Sequence, residues 1–171
     1  IPYGDGIFIS TEAEAIREAR AARGQQVAAL LQDVRAVQED GHPMFLTGDF
    51  NEPSHLDWTE AVARNDLCPL KVHWPSTSAV QTVGFRDAYR ADHPDPLTDR
   101  GITWTSTTSL WDPSDRHERI DFVFSRPGKT VSVGVVDSQV LGESPSSADV
   151  VVRPYPSDHR AVVAEVEISA P

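Results

Sequence analysis

The chain has 171 residues, 39% of them hydrophobic and 24% charged, which is enough apolar content for a single-domain core and excludes compositional disorder. Its formal net charge of -11 argues against a broad electrostatic grip on nucleic-acid phosphates, although a bound divalent cation can reverse the field locally. The one cysteine, Cys68, excludes an internal disulfide and a cysteine-rich zinc site and reads as buried and inert; no run approaches a membrane span, no secretory signal is visible, and the compartment stays open.

Residues 1–9, with Gly4 and Gly6, read as an irregular arrival. Thr11-Glu12-Ala13-Glu14 is a capping box, in which a hydroxyl and a carboxylate satisfy early backbone donors. Ile16, Val27, Leu30, Leu31, Val34 and Val37 follow at helical spacing, and Gly41 and Pro43 stop the helix. Gly24 is a weak point at which two helices could part. Met44 to Thr47 is a short strand, and Ser54 to Asp57 repeats the cap pattern ahead of a helix over His55–Asn65. Asp66 to Arg100 is rich in Pro, Asp and His and reads as long loops with a short element near Gly84–Arg90. Ile102–Ser106, Arg119–Ser125 and Val131–Leu141 read as strands, Gly142–Asp149 as a loop, and Ala161–Ile168 as a cleanly alternating last strand. Helices followed by several strands predict an α+β fold, with helices packed on one face of a mostly antiparallel sheet.

Three clusters at strand ends carry chemistry. In "GDFN", Gly48 to Asn51, Asp49 and Asn51 project to one side if the strand continues through them. A carboxylate there orients a water or a metal, and an amide donates to a phosphate oxygen; an Asx turn before a helix is the plainer explanation. In "ERIDFVF", Glu118 to Phe124, Asp121 lies among apolar residues and needs a partner. That partner is either Arg119, in a strand-edge salt bridge, or a histidine whose ring N–H the carboxylate accepts. In "YPSDHRAVVAEVEI", Tyr155 to Ile168, neighbours Asp158 and His159 face opposite ways on an extended segment. Asp158 suits a hard cation and His159 a proton, whereas a lone Asp-His pair is more often a surface turn.

In this order, "GDFN", "RIDF" and "SDHR", with "GITWTS" at Gly101 to Ser106, resemble the endonuclease/exonuclease/phosphatase superfamily, the fold of pancreatic deoxyribonuclease. The resemblance implies a four-layer α/β/β/α sandwich and a divalent-metal-dependent phosphoesterase. Asp49 would position the attacking water or bind metal, and Asn51 would hydrogen-bond the scissile phosphate. Asp121 would orient His159, which would act as general base or stabilise the transition state. Asp158, with Asp49, would contribute to the metal site. Mg²⁺ is the default cation for oxygen ligands, with Mn²⁺ or Ca²⁺ as substitutes. The substrate is a phosphate ester, either nucleic acid or a small or lipid-derived molecule.

The family's upstream Asn, its principal metal-binding Glu and the His-bearing strand before "IPYGDG" have no match in residues 1–171. The expectation is therefore that these residues are the C-terminal portion of one catalytic domain. By itself this portion is expected to be inactive and to expose an apolar sheet face, which the N-terminal half or a second copy would cover. A non-catalytic binding module keeping the fold is the alternative, but Asp49, Asn51, Asp121, Asp158 and His159 are all intact.

The remaining histidines, His42, His55, His73, His93 and His117, show no zinc spacing and read mostly as loop residues; His55 and His73, near the "GDFN" loop and Trp74, invite a closer look. Trp104 reads as core, and Trp74 and Trp111 as loop residues able to recognise substrate. Asp112, Asp115, Arg116 and Glu118 read as a solvated charge run.

Overall fold

A computed structural model of the chain describes residues 9–38, 40–112 and 115–170. The arrival expected over residues 1–9 lies, but for Ile9, outside the described residues.

Helix α1, Glu12–Gln38, opens as its sequence dictates. Thr11 Oγ1 accepts from the Glu14 N–H at 3.2 Å, while the Glu14 carboxylate reaches back to the N–H and hydroxyl of Ser10, each at 3.0 Å. Gly24 does not divide α1, which runs through it unbroken; packing of one face offsets the roughly 1 kcal/mol that a helical glycine costs. Strand β1, Met44–Asp49, follows. The helix expected over His55–Asn65 is shorter. Ser54 caps only a turn, its Oγ accepting from the Leu56 N–H at 3.1 Å, and α2, Glu60–Arg64, starts after Thr59 caps it instead. Helix α3, Pro75–Thr82, forms inside the segment read as loop; Pro75 is pre-set for a first helical position. Strand β2, Arg86–Asp87, and helix α4, Ala88–Asp92, make up the short element expected near Gly84–Arg90.

Strands β3, Asp121–Arg126, β4, Ser132–Gly142, β5, Val150–Val151, and β6, Ala161–Ser169, complete the chain. With β1 and β2 they form two three-stranded sheets, ordered β1-β3-β2 and β5-β4-β6, antiparallel except for the short β4–β5 pair. The stretch expected as a strand over Ile102–Ser106 makes isolated bridges at Trp104, to Glu118 on one side and His159 on the other, and so stitches the sheets together. The fold is α+β, as the sequence predicts.

Phe122 and Phe124 of β3 pack with Val34, Val80 and Phe85 in one core cluster, joined by Met44 and Leu46. A second cluster holds Ala15, Ala19, Trp58, Val62, Cys68, Val72 and Trp74. Trp74 is therefore core, fully buried and edge-on to Trp58 at 5.1 Å between centroids, rather than a loop recognition residue. On the opposite face of β1 the alternation leaves Phe45 47% exposed.

Candidate active site

Asp49 ends β1 and is the cross-strand partner of Asp121, the first residue of β3. The antiparallel register thus brings together two carboxylates 72 positions apart in sequence, on the face away from the Phe122–Phe124 core. The backbone beyond Asp49 stays tied to β3, with the Phe50 N–H donating to the Ile120 carbonyl at 2.8 Å. Asn51 then takes a left-handed backbone, φ +46°, which asparagine tolerates better than most residues. Its N–H and side-chain amide donate to the two oxygens of Asp49, at 2.6 and 2.7 Å. The Asx-type turn is present; the strand does not continue through Asn51, and it is this turn, not strand alternation, that brings Asn51 to the side of Asp49.

His159 arrives from the other sheet. The Trp104 bridge sets its height, and Trp104 lies against its ring at 4.7 Å between centroids. Its backbone N–H donates to Ser157 Oγ at 3.1 Å, and its carbonyl accepts from the Tyr155 hydroxyl at 2.9 Å. The imidazole Nδ1 meets Asp121 Oδ2 at 2.9 Å. Asp121 is itself set by Thr103, whose hydroxyl accepts from the Asp121 N–H at 3.2 Å and the Ile120 N–H at 3.0 Å.

The electrostatics of the cluster are acidic. Partial burial pulls the His159 pKa down, but the hydrogen bond and charge of Asp121, with Asp49 and Asp158 adding, outweigh it and raise the pKa above its ordinary value. Asp49, Asp121 and His159 each offer one ligand atom within 4.8 Å of the others. Two carboxylates are a donor set suited to a hard divalent cation. Asp158 stands outside this group, with an exposed side chain; its backbone carbonyl accepts from the Ser106 N–H at 2.9 Å and the Thr105 hydroxyl at 2.8 Å.

Arg119 is not the partner of Asp121. It is buried and bonds Asp57, at 2.9 and 3.0 Å, and Asp87, at 3.0 and 2.7 Å. Burial disfavours its charge, yet the two carboxylates raise its pKa on balance. Arg90 joins the same Asp57 at 2.6 Å. This buried network ties the segment after "GDFN" to β2 and α4, behind the site. The sequence carries no spacing signal for it, because Asp57, Asp87 and Arg119 come from three separate segments.

Glu118 also departs from the solvated charge run expected of it. It is buried, accepts from Trp58 Nε1 at 2.9 Å, and has its pKa pushed up to about 7 by loss of solvent. The neighbouring Trp111 is 89% exposed. His55 and His73 do come together, with rings 4.9 Å apart, but His55 is held by Thr77 and Gln81, each at 2.9 Å, and His73 by Ser78 at 2.8 Å.

Residues 2–159 match the Endonuclease/Exonuclease/phosphatase family. An uncharacterised protein of Caenorhabditis elegans is 35% identical over 136 residues, covering 72% of this chain and 40% of its own length. No solved structure matches the chain.

Proposed function

Since the chain belongs to the endonuclease/exonuclease/phosphatase family, whose members are in general hydrolases of phosphate esters or nucleic acids and depend on divalent metals, we propose that it carries the Asp49–Asn51–Asp121–His159 wall of a metal-dependent phosphoesterase site. The observation that carries this reading is the Asp121–His159 hydrogen bond at 2.9 Å, beside the carboxylate of Asp49. By accepting from Nδ1–H, Asp121 fixes the ring tautomer and orientation, which leaves Nε2 to take or hold a proton. Asn51 supplies an amide donor to a phosphate oxygen once its bonds to Asp49 are released. Asp49 and Asp121, with Asp158 nearby, would hold the cation, Mg²⁺ first and Mn²⁺ or Ca²⁺ as substitutes. When bound, the cation neutralises phosphate charge and lowers the pKa of a coordinated water.

The remaining part of the site falls to the N-terminal half of the same domain. It would dock on the face that carries Phe45, with a second copy of this chain as its substitute. The isolated 171 residues would then turn over little or nothing. The test uses the full-length protein on an activated phosphodiester with Mg²⁺. Turnover abolished by chelation and by His159→Ala supports the reading. Phosphate-ester binding without turnover would instead favour a binding module. A salt titration of nucleic-acid binding separates the substrate classes, since a flat response excludes a nuclease.

A further inference from the structure

Glu52 directly follows Asn51 and is completely buried, an unusual setting for a carboxylate. Both of its oxygens are used on the first turn of α3: one accepts from the Ser76 N–H at 2.8 Å, the other from the Ser76 hydroxyl at 2.9 Å. Burial raises its pKa, and these two bonds oppose the rise. Three residues on, His55 is fastened to the same helix, its N–H donating to Thr77 Oγ1 at 3.2 Å and its ring meeting Thr77 and Gln81. Helix α3 is thus a backing plate to which the chain is pinned immediately after the left-handed Asn51.

An apolar side chain of similar volume could anchor a turn here without the desolvation cost of a buried carboxylate. What a carboxylate adds is direction. Two acceptors matched to one backbone N–H and one hydroxyl fix both the position and the rotation of the residue that holds Asn51. We propose that Glu52, through Ser76, is a positioning residue that holds the Asn51 amide in reacting register beside Asp49. Helix α3 thereby becomes part of the catalytic scaffold. The proposal rests on the phosphoesterase reading, and it has one arm that does not.

In that arm, hydrogen exchange follows the Asn51 backbone N–H in Glu52→Gln and in the milder Ser76→Ala. Exchange at Asn51 should accelerate by ~10-fold or more while the Phe122 and Phe124 amides of β3 keep their protection. Unchanged protection at Asn51 overturns the proposal, whether or not the protein has activity. The kinetic arm uses the full-length protein. Glu52→Gln should lower kcat by ~10–100-fold with KM nearly unchanged, the scale expected of a misplaced group. In an Asn51→Ala background the same change should cost little more, because the group it positions is gone. An equal loss in both backgrounds assigns Glu52 a merely structural part and overturns the proposal. Absence of turnover in the unmodified protein would overturn the phosphoesterase reading and leave the exchange arm to decide the role of Glu52.

Discussion

At the scale of single residues, His159 can be tested through the direction of its pKa. With that pKa raised by Asp121, Asp49 and Asp158, the imidazolium persists at higher pH than a free histidine's would. A cation held by Asp49 and Asp121 would oppose this shift in the loaded enzyme, so turnover is read for its sign: if His159 is the general base, the rate climbs as pH rises through its pKa; if it stabilises charge as imidazolium, the rate falls over that window. A flat profile across it sinks both roles. The stability sign follows from the same shift. The His159–Asp121 pair contributes fully below the ordinary histidine value and loses its contribution as pH rises through the raised folded value. Asp121→Asn should therefore lower the His159 pKa in an NMR titration and cut turnover by ~10²-fold or more. His159→Ala should cut it by ~10²–10⁴-fold without unfolding the chain, as checked by circular dichroism.

At the scale of elements, Glu118 and Arg119 sit side by side just ahead of β3 and behave oppositely. Glu118, with a folded pKa of about 7, favours folding in its protonated form. Its contribution is complete below the ordinary carboxyl value and is lost as pH rises through about 7, a change of ~3 kcal/mol at most. Urea midpoints measured between these limits should fall with pH, and Glu118→Gln should flatten that slope. Arg119→Ala leaves the buried Asp87 without its guanidinium partner and Asp57 with Arg90 alone, and should cost ~3–5 kcal/mol in the same assay. These elements also mark the limit of what the sequence discloses. The strand ending in "GDFN" and the strands leading out of "RIDF" and "SDHR" announce themselves through alternating or β-rich residues, and the motifs sit at the ends of those strands. Helix α3 does not, since its buried face is made of Ser76, Thr77 and Val80, too polar to show an apolar period. The burial of Glu118 and the salt-bridge partners of Arg119 depend on contacts 60, 62 and 32 positions away, which no local pattern encodes.

At the scale of the whole molecule, one sheet face is packed and the other is open. Phe45, 47% exposed, lies on the same face of β1 as Asp49, four positions on, and Val163, 49% exposed, lies in phase with His159, which leads into β6. The open apolar residues therefore share a face with the proposed chemistry, so what covers one encloses the other. Sedimentation of the isolated chain should show concentration-dependent association that Phe45→Asp with Val163→Asp removes; a monomer at every concentration would count against a partner for this face. Among the described residues, no helix is long and apolar enough to cross a membrane. The chain also carries its own experimental convenience in Cys68. The lone thiol is buried, and burial pushes its pKa to about 11, so at neutral pH almost none of it is thiolate. A second cysteine placed on the surface would react with maleimide or a spin label while Cys68 stays silent. A probe at Val163, for instance, would report whether the open face closes, with no native cysteine to remove first.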